Sequence, residues 1–385
     1  MLTESDHLFL AAAIELAQRG INSVSPNPAV GCLLVRDGVV LGRGWHVRAG
    51  EGHAEVNALA DARASALTRG GAAAPDQVAR GATAFVSLEP CAFEGRTPPC
   101  SRALIHAGVA RVVAAMTDPH PKVAGAGFAE LRTAGIRVDV AELPAAQELI
   151  AGYVSRITRQ RPFVRLKVAA SLDGRTAMAS GESQWITGAQ ARADVQRWRA
   201  RSCAVITGSG TVLVDDPRLT VRDSALAVAG RIRQPLRVVC DGRGQIKADR
   251  ALTSGAADAG LTGTAPALLV RAVPVTVVGS AEVIQLPAGD DGTGVSLPAL
   301  LELLAQRQCN EVLVEAGPKL IGAFLASGLW DELLLYQAPR LLGSDARSLA
   351  ALPFTRMAEA IGATIADCTQ IGADLRLRLR PAGHD

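Results

Sequence analysis

The sequence predicts an α/β protein made of two consecutive domains. A chain of 385 residues exceeds what one typical hydrophobic core serves. Hydrophobic residues at 49% and charged residues at 20% describe an ordinary folded chain rather than a disordered one. Short apolar, β-branched runs alternate with helical stretches along the length, which is the order that builds sheets covered by helices.

The first element is a helix in residues 1–20. Thr3 and Ser5 are possible caps, Glu4 and Asp6 suit the first turn, and Arg19-Gly20 makes an end. "AVGCLLV" (29–35), the turn Asp37-Gly38 and "VVLGRGW" (39–45) read as a hairpin. A helix starts near Ala54. "ATAFVSL" (82–88) is a buried strand, "SRALIHAG" a short helix ended by Gly108, and "RVVAAM" another strand. The stretch 143–161 reads as a connecting helix, so a first domain is expected at 1–145, a linker at 146–161 and a second domain at 162–385. The second domain opens with the strand "FVRLKVAAS" (163–171). A helix near 189–200, the strands "CAVITG" and "LRVVC", and a Gly/Ala-rich loop at 254–266 follow. A helix from about Pro298 to Gln306, the strand "EVLVEAG", a helix opened by Pro318 and the strand "ELLLYQAP" complete it.

Formal net charge is +3 with Lys and Arg dispersed, so no nucleic-acid backbone partner is expected. The amino-terminal stretch lacks the basic start of an export signal, and the longest apolar tract is broken by Arg271 and Pro274, so no membrane partner is expected either. Seven cysteines without an export signal suit a reducing cytoplasm. The hydrophobic content is compatible with a subunit interface, and a homo-oligomer is expected.

"HAEVNAL" (53–59) and "EPCAFEGRTPPC" (89–100) bring together one histidine, two cysteines and a glutamate. Catalytic zinc takes three protein ligands and keeps a fourth position for water, and His53, Cys91 and Cys100 supply such a set. Cys91 follows a predicted strand, whereas Cys100 and His53 each precede a predicted helix, whose positive end favours thiolate. Glu55, two residues past His53, can stay off the metal and carry a proton from the attacking water to a leaving amine. His-x-Glu is half of the zinc nucleobase deaminase signature, but eight residues, not two, separate these cysteines. A closed structural zinc site with Cys32 or His46 as fourth ligand is the competing reading.

At "SPNPAVGC", "HAEV" and above all "EPCAFEGRTPPC" the chain resembles the deaminase domain of the bifunctional riboflavin-biosynthesis deaminase–reductases, the RibD family. "VAASLDGRTAMASGESQWIT", "TVLVDDPRLTVR" and "VEAGPKLIGAFL" resemble the reductase domain of that family. The resemblance implies a three-layer cytidine-deaminase-like domain followed by a dihydrofolate-reductase-like α/β domain. It also implies zinc-dependent deamination of 2,5-diamino-6-(5-phosphoribosylamino)pyrimidin-4(3H)-one, then NADPH-dependent reduction of the ribosyl chain to ribityl.

By the same resemblance Asn27 and His46 line the pyrimidine pocket, and Lys167 lies in the reductase active site. Ala169, Trp185, Thr211, Asp215, Gly317, Pro318, Lys319, Leu320, Ile321, Gly322 and Ala323 would contact NADPH. Ser183, Arg199, Leu219, Arg222 and Glu315 would contact the small-molecule substrate. Four positions depart from the family pattern and bear on substrate contacts: Phe93, Glu94, His120 and Ala126.

Residue chemistry agrees with parts of this. "EAGPKLIG" has the strand, turn glycine and helix start that phosphates use, with Gly322 permitting close approach, although it is not a Rossmann fingerprint. A guanidinium fork at Arg199 or Arg222 suits a phosphate ester, and a lysine amid apolar strand residues is costly unless paired or used. Two other readings stay open: a nucleoside or tRNA-base deaminase with an attached reductase-like domain, and a non-catalytic zinc protein that binds a nucleotide.

Overall fold

The structure, a computed structural model, describes residues 2–68, 77–93, 98–254, 267–289, 292 and 294–383. The loop expected at 254–266 therefore lies outside the described residues except for Ser254, as does Glu94. The chain forms two compact units, Met1–Gln160 with Val228–Arg231, and Arg161–Ala227 with Ile232–Asp385.

In the first unit α1 (Glu4–Gln18) starts at Thr3, whose hydroxyl accepts from Asp6 N while Asp6 accepts from Thr3 N. Asp6 also pairs with Arg111 at 2.7 Å, and its carboxyl is held at about 2, below the usual range, because these hydrogen bonds outweigh its burial. The sheet order is β2-β1-β3-β4-β5, from β1 (Gly31–Arg36), β2 (Val39–Trp45), β3 (Thr83–Val86), β4 (Arg111–Ala114) and β5 (Arg137–Val140). The β1–β2 and β1–β3 pairs are antiparallel and the remaining two are parallel.

Alternation along β1 divides the core between the two faces of the sheet. Leu33 and Val35 meet α1, whereas Cys32 and Leu34 meet α2 (Ala54–Thr68) and α3 (Cys100–His106). Helices on both faces make the expected three layers. Gly42 and Gly44 in β2 let α2 lie close, since a Cβ on either would sit 2.3 Å or less from a backbone atom of that helix. This packing places His53 and Glu55 at the edge of the sheet.

Residues 143–161 do not form a free linker. They make α5 (Pro144–Leu149) and α6 (Ala151–Arg159), and Ala146, Ile150 and Tyr153 are buried in the core beside α1. The helix α4 (Ala126–Thr133), capped at Gly125, and the strand β5 carry no clear signal in the sequence.

The second unit is built on a nine-stranded sheet. Its parallel part runs β11 (Glu282–Gln285), β10 (Leu268–Arg271), β9 (Leu236–Cys240), β8 (Ala204–Gly208), β12 (Glu311–Val314), β6 (Phe163–Ser171) and β13 (Glu332–Ala338). An antiparallel hairpin, β15 (Ala363–Ile371) and β16 (Asp374–Pro381), extends it beyond β13. A small separate pair joins β7 (Arg175–Ala177) to β14 (Arg347–Ser348).

One face of the large sheet packs on α9 (Leu297–Gln306) and α10 (Pro318–Ala326), the other on α7 (Ala189–Arg201) and α8 (Ser209–Asp215). Loops at the carboxyl ends of a parallel sheet are where such folds bind ligands. Among the described residues no helix is long and apolar enough to cross a membrane.

Candidate functional site

In the first unit three side chains converge. His53 immediately precedes α2, Cys91 follows β3, and Cys100 is the first residue of α3. His53 Nδ1 lies 3.2 Å from Cys100 Sγ and 3.6 Å from Cys91 Sγ, and all three donor atoms fall within 4.8 Å of one another. This is the one such cluster among the described residues. One imidazole and two thiols at these separations fit zinc, and three donors leave a position for water.

The electrostatics suit a cation. The Cys91 thiol is pulled down to about 4 by a hydrogen bond with the Cys100 thiol, helped by His53 and by the Cys100 backbone N–H, whose nitrogen lies 3.4 Å from the sulfur. Its partner Cys100 is pushed the other way, because it shares that bond and is buried, so one thiol ionises first. The His53 imidazole is pushed up by its contact with Cys91.

Glu55 is 3% exposed and hydrogen-bonded with the Cys100 thiol. Burial, with the negative Cys91 next, pushes its carboxyl up to about 7. An acid that exchanges its proton near neutrality beside the metal-ligating cluster is what a proton carrier needs.

Cys32 and His46 do not supply a fourth ligand. Cys32 is fully buried under the sheet. His46 Nδ1 lies 3.0 Å from Gly52 O and donates to it, which leaves Nε2 to accept from the Asn27 amide at 3.0 Å. Burial lowers the His46 pKa, and its ring stands edge-on to His53 with centroids 5.1 Å apart. Asn27 and His46 thus form a neutral, oriented pair beside the cluster, at the positions the family resemblance expects to line the pyrimidine pocket.

Sequence reasoning missed Glu89. Its buried carboxylate accepts backbone N–H bonds from Asp118, Gly125, Gly127 and Phe128 at 3.0 to 3.3 Å, and so caps the start of α4. Gly127 is required there, since a Cβ would sit 1.9 Å from Pro90 O. The only signal was an acid ending a run predicted to be buried. Phe93 and His120, two of the departures from the family pattern, contact each other with ring centroids 6.3 Å apart and planes 24° apart. Ala126, a third, opens α4 beside the Glu89 anchor.

In the second unit a cleft of about 1890 Å³ follows the carboxyl ends of β6, β12, β8 and β9. Lys167, Ala169, Ser183, Trp185, Thr211 and Asp215 line it, together with Leu219, Arg222, Glu315, Gly317, Pro318, Lys319, Leu320 and Ala323. A Cβ on Gly208 or Gly317, the glycines at the starts of α8 and α10, would meet only an ordinary contact, with Leu320 at 3.8 Å and Thr211 at 4.0 Å respectively. Trp185 is 61% exposed with the Arg192 guanidinium 4.4 Å over its ring, so it is not a core aromatic.

Three of the expected positions sit differently from the rest. Ile321 is fully buried in the core against the sheet, and neither it nor Gly322 lines the cleft. Gly322 admits the backbone of Ala351, whose carbonyl would lie 2.2 Å from a Cβ, so the close approach it permits is within the protein. Arg199 lines the cleft, but its fork is engaged: Nε and a terminal nitrogen reach the two Glu315 oxygens at 2.5 and 2.9 Å, and the other bonds Thr220 O. The buried Glu315 carboxyl is held low chiefly by this arginine, while burial lowers the ammonium of Lys167 beside the pair.

The two units together define a zinc deaminase joined to a nucleotide-dependent reductase. Residues 3–116 match the cytidine and deoxycytidylate deaminase zinc-binding region, and residues 162–377 match the RibD C-terminal domain. The riboflavin biosynthesis protein RibD of Escherichia coli is 45% identical over 97% of this chain and 99% of its own length. The solved RibD of Acinetobacter baumannii is 42% identical with a TM-score of 0.85, covering 98% of this chain and 99% of that one. A Thermotoga maritima structure described as a diaminohydroxyphosphoribosylaminopyrimidine deaminase/5-amino-6-(5-phosphoribosylamino)uracil reductase is 29% identical with a TM-score of 0.83, covering 98% of this chain and 99% of that one. The chain belongs to the RibD family of bifunctional riboflavin-biosynthesis enzymes, with a zinc-dependent deaminase and an NADPH-dependent reductase.

Proposed function

We propose that the first unit deaminates 2,5-diamino-6-(5-phosphoribosylamino)pyrimidin-4(3H)-one and that the second reduces the resulting 5-amino-6-(5-phosphoribosylamino)uracil to its ribityl form. The observation that carries the reading is the convergence of His53, Cys91 and Cys100 with Glu55 buried at their side and not among the three donors. Zinc, held by those three, supplies Lewis acidity toward water. Glu55 takes the proton from the attacking water and returns it to the departing amine, a role suited to an acid poised near neutrality. The Asn27–His46 pair orients the pyrimidine.

In the cleft, NADPH lies along Ala169, Trp185, Thr211, Asp215 and the Gly317–Leu320 turn, with Ala323 behind it. Lys167 faces the reacting carbonyl, and Ser183, Leu219 and Glu315 border the sugar chain. Arg222 receives the substrate phosphate, because the Arg199 fork is engaged by Glu315 and serves to position that acid. The described cysteines are free thiols, which supports a reducing cytoplasmic setting, and a homo-oligomer is proposed for test by light scattering.

The purified protein is expected to carry about one zinc per chain, release ammonia from the diaminopyrimidine ribotide and oxidise NADPH only after that step. Activity on cytidine or tRNA with none on the ribotide would overturn the assignment. So would inert protein with four protein ligands on its zinc.

A further inference from the structure

Beyond connecting two regions of the chain, α6 bonds to two separate turns of the first unit. Tyr153 and Arg156 lie three residues apart and so share one face of the helix, with the Arg156 guanidinium 5.8 Å from the centre of the Tyr153 ring. Tyr153 is 8% exposed, and its ring belongs to the core beside α1. A phenylalanine would fill that space equally well, so the hydroxyl is there for something other than packing. Burial, then the Asp118 carboxylate, pushes the hydroxyl up, with Cys91 a lesser cause, so it stays a neutral donor within the field of a zinc ligand.

Tyr153 donates to the buried Asp118 carboxylate, at 3.1 Å to Oδ1 and 3.5 Å to Oδ2. The same Oδ1 accepts from His120 N at 2.8 Å. His120 is held at its other end as well, since its carbonyl accepts from Val123 N at 2.8 Å and Ala124 N at 3.0 Å, and its ring Nδ1 accepts from Lys122 N at 3.2 Å. A hydroxyl on α6 thus anchors the acid that fixes the backbone of His120, and the His120 ring stacks against Phe93, two residues past Cys91.

Arg156 acts on the other turn. A terminal nitrogen donates to Pro26 O at 3.3 Å, while Asn27 N, at the far side of the same peptide unit, donates to Val24 O at 2.9 Å. A peptide unit is planar, so holding its oxygen and its N–H together fixes the direction in which the chain enters Asn27. Asn27 then carries its amide to His46 Nε2 at 3.0 Å. Residues 24–27 and 118–124 are distant in the chain, and one helix face ties down both.

We propose that Tyr153 and Arg156 are positioning residues of the deaminase, which act through Asp118 and Pro26 to hold the His120 and Asn27 turns in the arrangement that receives the pyrimidine ribotide. The assignment rests on the reading of the first unit as the ribotide deaminase.

The test is steady-state ammonia release from the diaminopyrimidine ribotide by the zinc-loaded full chain and its Tyr153→Phe, Arg156→Met and Arg156→Lys variants. Zinc content and melting temperature are measured on each, and the reductase step on supplied uracil intermediate serves as an internal control. Tyr153→Phe and Arg156→Met should each raise the KM for the ribotide by about fivefold to thirtyfold, the effect of one lost charge-assisted hydrogen bond, with zinc content and reductase kcat/KM at wild-type values. Arg156→Lys keeps a charged donor for Pro26 O and should recover part of the loss. A merely structural role would instead reduce the fraction of active molecules, which lowers kcat and leaves KM alone. A KM within about twofold of wild type in either Tyr153→Phe or Arg156→Met, whatever the kcat, would overturn the assignment while leaving the deaminase reading standing. So would a raised KM that comes only with loss of zinc. A wild-type chain that releases no ammonia from the ribotide would overturn the deaminase reading, and this assignment with it.

Discussion

Replacing Glu89 with glutamine tests whether the acid beside the first zinc-ligating cysteine is structural. One carboxylate oxygen accepts from Gly127 and Phe128 N and the other from Gly125 and Asp118 N. A glutamine can serve only one of these pairs, and its amide then points two donors at two more donors. Leaving two largely buried N–H groups unsatisfied at about 1–3 kcal/mol each gives about 2–6 kcal/mol in all. For a unit of this size, at about 2–4 °C per kcal/mol, the first thermal transition should fall by roughly 4–24 °C. Because Pro90 and Cys91 follow directly, zinc should also be lost more readily to a chromogenic chelator. The assays are differential scanning calorimetry and chelator competition. A Glu89→Gln protein with wild-type melting and zinc retention would show that those hydrogen bonds do not organise the site.

Glu55→Gln should retain zinc yet lose about 10²–10⁴ in deaminase kcat, with the reductase step on supplied uracil intermediate intact; full turnover would remove Glu55 from proton transfer. Glu311 and Glu332 are both held at about 2, since their arginine partners Arg165, Arg201 and Arg378 outweigh burial. A folded pKa below the ordinary value of 4.5 means stability that is present above that pH and lost as pH falls toward about 2, on the order of 3 kcal/mol for each acid. Urea titrations between pH 7 and 3 should show that slope, and it should flatten in a Glu311→Gln/Glu332→Gln chain; an identical slope would contradict the assignment. Gly322→Val should destabilise the second unit by about 1–3 kcal/mol or more while folded molecules bind NADPH as before. Weakened binding at unchanged melting temperature would return Gly322 to the cofactor site.

Much of the architecture was legible because each strand and helix carries its own period. β6, β2 and the start of α1 fall where alternation and capping place them, since capping and hairpin turns are local properties. The zinc cluster was legible for a different reason: few residue types bind zinc, and their positions at the ends of predicted elements, Cys91 after a strand and His53 and Cys100 at helix starts, survive folding. Residues 143–161 read as helix, and helices α5 and α6 form there, but an amphipathic segment does not announce what it packs against. Only tertiary structure shows Ala146, Ile150 and Tyr153 joining the core of α1. The C-terminal hairpin went unread because β15 is exposed along most of its length and so lacks an apolar face to betray it.

Partner choice among buried charges is the part that local reading cannot reach. The sequence offers both Arg199 and Arg222 as guanidinium forks, and the fold brings Glu315, 116 positions further along the chain, back to Arg199. With both Glu315 oxygens on the Nε edge of Arg199, a phosphate dianion could take that bidentate edge only by displacing a buried carboxylate, which would leave that charge uncompensated in the cleft wall. Arg222 is exposed and close enough to Glu315 to feel its charge, so it can take the phosphate without breaking a buried pair.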